Sequence, residues 1–116
     1  INIDAISKYI IEQKRDVIFL CAGWKNKFNL EDTLFAGACI QQLLDSNSFE
    51  TECDSTLGAT RLYSLAKSDL YGFLADSSHR NRLHKLDLEK DIRYCLTLNQ
   101  STVIPVLEGK YLVKLY

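Results

Sequence analysis

Residues 17–40 constrain the chain more than any other stretch: the apolar run Val-Ile-Phe-Leu-Cys meets Ala22-Gly23, a basic loop follows, and a helix opens on Glu31-Asp32. A β-branched and aromatic run without alternation, as at residues 17–21, is the pattern of a strand covered on both faces, as in a parallel sheet. Gly23 permits the sharp turn that ends it. Asn29 is a good N-cap for a helix over residues 30–44, with Leu34, Ala38 and the apolar stretch from Ile40 supplying buried surface and Gly37 allowing close packing. Strand, turn and helix N-terminus in that order build an anion-binding edge in α/β proteins. Two adjacent carboxylates at that edge suggest a metal site.

The remaining chain is mostly helical in pattern. Asn2 can cap a first helix whose apolar face is Ile3, Ile6 and Ile10. A third helix fits residues 54–67 around Leu57, Leu62 and Leu65, with Tyr71, Phe73 and Leu74 as a short sequel. Ser78 can cap a turn running through Leu83 and Leu86, and residues 88–98 read as a helix with Ile92, Cys95 and Leu96 inward. Residues 102–107 and 111–116 are strand-like and joined by Glu108-Gly109-Lys110, which suits a hairpin, while Pro105 marks the first of them as an edge or terminus. The fold class is therefore α/β, helix-rich, with about three strands and a C-terminal hairpin. So few strands cannot carry so many helices. Either a larger sheet is completed by a segment preceding Ile1, or the helices cover one another in an α-rich arrangement.

A chain of 116 residues fits one domain with a modest core, and at 47% hydrophobic, 25% charged and 10% aromatic residues it has the composition of a globular protein. Fourteen basic and fifteen acidic residues give a net charge of −1. No excess of positive field recruits nucleic acid or an anionic membrane, and no apolar run approaches the ~20 residues of a membrane span. The expected partner is a small molecule or another protein. Cys21, Cys39, Cys53 and Cys95 match no short paired metal motif, and their apolar or helical neighbours point to free thiols in a reducing cytoplasm. The chain starts at Ile1 and contains no methionine, so it reads as the remainder of something longer.

The order CAG, then LED, then AGA, with SSHRNRL, DIRYCLTLN and VIP downstream, resembles the C-terminal half of the 2-phosphosulfolactate phosphatase family across essentially the whole chain. The resemblance implies a magnesium-dependent phosphoric monoester hydrolase with a layered α/β/α fold, acting on a small anionic phosphoester. It also implies a partner, the N-terminal half of the same protein, which in that family contributes glycine- and asparagine-containing turns and a strand-end aspartate and arginine. Where the family's loop after CAG is small and glycine-containing, this chain has Trp24 and Asn26.

The chemistry of the residues agrees with that implication. Hydrolysing a phosphate monoester requires charge neutralisation on the transferring group, a positioned water or nucleophile, and support for the departing alkoxide. Mg2+ held by one or two carboxylates supplies much of this. Glu31 and Asp32 would repel a bare phosphate, so as catalytic residues and metal ligands at a phosphate-friendly helix end they make sense when a cation bridges them. Gly23, Lys25 and Lys27 would then meet the phosphate or sulfonate oxygens. The plain alternative is that both acids complement the helix dipole, with Asp32 at the capping-box position relative to Asn29, and that the lysines are solvated.

Other residues carry weaker signals. Cys21 before a glycine turn resembles the nucleophile of cysteine-dependent phosphatases, but the position where their loop needs an arginine is Lys27, so packing is the better reading. His79 is a general acid or a surface histidine beside arginines, His84 offers less, and Trp24 stacks on a ligand or covers a neighbouring element. Arg61 and Arg82 have no assignment. Two functions remain open: part of a magnesium-dependent phosphatase, or a non-catalytic α/β interaction domain buried against a partner chain. Exposed sheet edges would also favour a homo-oligomer.

Overall fold

The computed structural model of the chain describes residues 1–115. Six helices precede an antiparallel hairpin: α1 (Ile3–Gln13), α2 (Leu30–Asp45), α3 (Asp54–Ala66), α4 (Leu70–Phe73), α5 (Ser78–His84), α6 (Glu89–Cys95), β1 (Pro105–Glu108) and β2 (Tyr111–Lys114). The helix-rich α/β architecture with a C-terminal hairpin is the expected one, but the described residues hold two strands rather than about three, with none at residues 17–21. The part of the second strand-like run at Tyr116 lies outside the described residues.

Helix α2 is central because its middle, residues 36–40, is small or apolar and buried on every side. Ala36, Gly37, Ala38, Cys39, Ile40 and Leu43 are all buried, which lets a helix pack on each side. Ile3 of α1 meets Ala38 and Cys39 on one flank, while Ala36 and Ile40 meet Ala59 of α3 on the other. A third cluster joins Leu34 to Ala66 and Leu74, with Leu96 against it, and so ties the later helices to α2. Gly37 is essential to the α2–α3 approach: a Cβ there would run into the Ala59 backbone carbonyl and lie 3.1 Å from Tyr63 Cβ.

Local side chains cap three of these helices, α2, α4 and α5. The Asn29 side chain accepts from the amides of Glu31 and Asp32 at 2.9 and 3.2 Å, and Ser77 and Asp69 cap α5 and α4 in the same way. Asn2, expected to cap α1, makes no side-chain cap; its Nδ2 donates to the Val103 carbonyl at 2.8 Å instead. The Asp4 amide is satisfied by Asn99 Oδ1 at 3.0 Å. A residue from beyond α6 thus caps the first helix, and the Ser101 amide donates to the Ile1 carbonyl beside it. These bonds tie the start of the chain to its end.

The hairpin pairs Val106 with Val113 and Glu108 with Tyr111, and Gly109 takes the positive φ of 58° its turn demands. Residues 17–21 behave differently. Their side chains alternate, with Phe19 packed against α1, α2 and α3 while Ile18 and Leu20 are 92% and 93% exposed. Cover on both faces, expected from the unbroken apolar run, is therefore not supplied by the described residues. Nor do any backbone groups of residues 16–22 bond to other backbone groups there.

All four cysteines are free, and their environments separate them. Burial pushes the Cys39 thiol up to about 11, whereas Cys53, exposed at the start of α3, is brought down to about 7 chiefly by the Ser55 hydroxyl, 3.0 Å from its sulfur. Thiolate is the reactive form, so iodoacetamide at neutral pH is expected to modify Cys53 first and Cys39 last. Peptide mapping of a labelling time course checks this; Cys39 should label only as the fold opens.

Candidate functional site

The acidic start of α2 stands at the head of a groove of about 650 Å³. Glu31, Asp32, His79 and Asp91 are its carboxylate and imidazole lining, and Phe19, Leu34, Ile92 and other apolar side chains line most of the remainder. A largely apolar cleft with a few convergent polar groups is the usual form of a small-molecule site.

Asp32 faces back toward the turn. Its Oδ2 accepts the Gly23 amide at 2.8 Å, so the reciprocal bond to Asn29 that a capping box would make is replaced by an anchor on the preceding loop. From there residues 24–27 fold into a tight turn, with Trp24 and Lys27 exchanging two backbone hydrogen bonds of 3.0 Å. The central residues, Lys25 and Asn26, have φ of 50° and 59°, the arrangement of a type I′ turn, in which a lysine is held at a cost of ~1–2 kcal/mol. Gly23, at φ 68°, has no room for a side chain, since a Cβ would sit 2.6 Å from the Lys27 carbonyl oxygen. The Gly23 amide is thus taken by Asp32 and those of Trp24 and Lys27 by each other's carbonyls, and Lys25 and Lys27 are exposed on the turn.

Glu31 is held from the other side. His79 Nε2 lies 3.0 Å from Glu31 Oε2, and the Arg82 guanidinium donates to His79 Nδ1. An arginine can only donate, so Nδ1 must accept and Nε2 must carry the hydrogen given to Glu31. Arg82 in turn stacks over the Trp24 ring at 4.0 Å. Trp24, Arg82, His79 and Glu31 therefore form one chain of contacts from the turn to the acidic helix start. Helix α5, which carries His79 and Arg82, is itself fixed by Arg80, whose guanidinium lies 3.7 Å over the Tyr71 ring and donates to the Tyr71 carbonyl at 3.2 Å. Arg93 lies 3.8 Å over the same ring, and Glu89 approaches both arginines.

Burial pushes the Glu31 carboxyl above its ordinary value; His79 and Arg82 pull it back, the adjacent Asp32 charge adds to the rise, and the net direction is up. The rise comes from burial, which costs the charged form its water, while the neighbouring charges, His79 first, favour that form.

Among the described residues no cluster of three or more His, Cys, Asp or Glu side chains could hold a metal by itself. Magnesium, however, is commonly held by one or two carboxylates, with water and substrate phosphate completing its shell. Glu31 and Asp32 each commit one oxygen to the fold, to His79 and Gly23 respectively, and Asp91 lines the same groove.

Of the residues singled out from sequence, Gly23, Glu31 and Asp32 come together, and Lys25 and Lys27 ride on the turn they anchor. His79 and Arg82 complete the group. The signal that could have assigned them was their spacing, since residues three apart in HRNR share a helix face, together with an unpartnered Trp24 that a guanidinium could cover. Cys21 is exposed and lines the groove.

The chain is thus a helix-rich α/β polypeptide whose acidic helix start lines a largely apolar groove. The particular family is shown by comparison: the chain matches 2-phosphosulpholactate phosphatase over residues 1–110, and it belongs to that family. It is 32% identical over 109 residues to a probable 2-phosphosulfolactate phosphatase of Caldanaerobacter subterraneus, covering 94% of this chain and 45% of that protein. It is 33% identical over 117 residues to a protein of the same description from Picosynechococcus, covering 100% and 48%. The corresponding protein of Gloeobacter violaceus is 33% identical over 106 residues, covering 90% and 43%. The chain thus spans about half the length of the curated relatives it matches.

Proposed function

We propose that this chain is the part of a magnesium-dependent 2-phosphosulfolactate phosphatase that supplies Glu31 and Asp32 to the metal, and that the protein hydrolyses a small anionic phosphate monoester to a sulfolactate-like alcohol and phosphate. The observation that carries the reading is the pair of adjacent carboxylates that line the groove, Glu31 with its carboxyl raised by burial. Bound there, magnesium would neutralise charge on the transferring phosphoryl group and help to orient a water.

The chain's own residues have separate tasks in this reading. Asp32 fixes the turn through the Gly23 amide, and the turn carries Lys25 and Lys27, whose charges receive the phosphate and the substrate's second acidic group. His79 fixes the orientation of the Glu31 carboxylate, and Arg82 fixes the tautomer of His79. The apolar wall of the groove limits water around the reacting group, which strengthens each of these charge interactions. The remaining half of the family's length supplies the other catalytic groups, and four free thiols suit a reducing cytoplasm. No helix among the described residues is long and apolar enough to cross a membrane.

Trp24, the sole tryptophan, is the reporter. A metal that draws Glu31 away from His79 disturbs Arg82, and Arg82 covers the indole. Titration with MgCl2 should therefore shift Trp24 emission and raise Tm, and calcium or sodium at equal ionic strength should do so less. Absence of a response both in this chain and in the longer protein would favour the non-catalytic interaction domain.

A further inference from the structure

We propose that residues 17–21 form an interior strand that receives one β-strand on each edge, both from the polypeptide corresponding to the half of the curated relatives that this chain does not span. Three observations meet at this segment. Its outward residues, Ile18 and Leu20, are 92% and 93% exposed while Phe19 is packed against the helices, which is the alternation of a strand lying on a helical layer. No backbone group of residues 16–22 bonds to another backbone group among the described residues. Finally, apolar grooves run along both sides of it: one of about 650 Å³ includes Leu34, Phe35 and Ile92, and the other, of about 770 Å³, includes Phe28, Ile40 and Phe49.

Each observation excludes a simpler account. An edge strand has one open side and usually protects it with charge or proline, yet this run has apolar surface on both sides and no charge between Val17 and Ala22. A second copy of the chain fills the vacancy poorly. Two copies pairing through this segment in a two-fold dimer satisfy one edge each and leave the other open. The relatives, by contrast, carry about as much polypeptide again outside the matched region, which is ample for two strands of ~5–6 residues and a layer to cover Ile18 and Leu20.

The placement deepens the proposed site. Gly23 and Asp32 would then stand at the carboxyl end of a central strand, where open α/β sheets bind ligands. The inference rests on that reading only for this consequence, because strand pairing is measured without any phosphate or metal.

The test is amide hydrogen exchange on this chain alone and on the chain produced together with its own counterpart of the region of the Picosynechococcus relative outside the match, whether encoded in one polypeptide or two. Successive amides of a strand point to opposite edges, so pairing on both sides protects every amide from 18 to 21, by ~100-fold or more over the chain alone. Protection of alternate amides only, or of none, overturns the inference. So does equal protection in this chain alone that grows with its concentration, since a second copy would then be the occupant. An Ile18→Lys, Leu20→Lys variant should keep the helical circular dichroism of the isolated chain and lose association at least tenfold. Undiminished association would show that nothing covers the outer face. Loss of phosphatase activity with full amide protection would sink the catalytic reading and leave this one standing.

Discussion

Replacing Gly37 by alanine is expected to lower Tm by ~10 °C or more, corresponding to a loss of ~2–4 kcal/mol, although alanine is the better helix former by ~1 kcal/mol. The new methyl would meet the Ala59 carbonyl rather than a yielding side-chain tip, with Tyr63 Cβ also 3.1 Å away. Helices α2 and α3 must then separate, and the clusters that link them, Ala36 and Ile40 with Ala59 and Leu34 with Ala66, loosen together. Against a total stability of ~5–15 kcal/mol this is a large fraction. Gly58→Ala provides the opposite sign. It lies within α3, and a Cβ there meets nothing within 4 Å, so the helix should gain ~0.5–1 kcal/mol. Urea unfolding of the two variants beside the parent measures both; a Gly37→Ala protein as stable as Gly58→Ala would refute the close approach.

The contrast also shows where sequence reasoning reaches and where it stops. A small-residue stretch in an apolar helix is a local pattern, and Gly37 as a packing glycine could be read from it. Asn29 caps its helix through bonds two or three residues away, Ser77 does so one place before the expected Ser78, and the hairpin turn needs only Gly109. These are all short-range chemistry. Asn99 capping α1 in place of Asn2 is not, because the amide it satisfies is distant along the chain and nothing in either local pattern favours one asparagine over the other. The same limit hid the contacts among Trp24, Arg82, His79 and Glu31. Glu31 reads locally as a metal ligand or dipole-complementing acid, His79 as a general acid or surface residue, Trp24 as a stacking or covering ring, and Arg82 as none of these; what joins them is α5 brought against the turn by the packing of Arg80 on Tyr71 and of Leu74 on Leu34. Residues 17–21 failed in another way. Their pattern reads as a strand, yet among the described residues they pair with no other strand, because a strand needs neighbours that the local pattern does not specify.

Asp32→Asn and Glu31→Gln should abolish the magnesium response while leaving the fold intact, with a fall in affinity of at least ~10–100-fold for either change. The amide oxygen of an asparagine still accepts the Gly23 amide, and that of a glutamine still accepts from His79 Nε2, so the turn and the helix start keep their hydrogen bonds. Only negative charge is lost. Asp32→Ala differs, because it strands the Gly23 donor and releases a turn already holding Lys25 at positive φ; ~1–3 kcal/mol of stability should go with it. For Glu31 the sign in the metal-free protein is the informative part. The folded environment raises this carboxyl, first through burial, so at neutral pH its charge opposes folding, and Glu31→Gln should leave Tm unchanged or higher. A residue that the fold would be better without, yet whose loss removes cation binding, is kept for function. If both isosteric variants instead lowered Tm and left Trp24 emission responding to MgCl2 as the parent does, the two acids would be helix-capping residues and the phosphatase reading of this groove would fail.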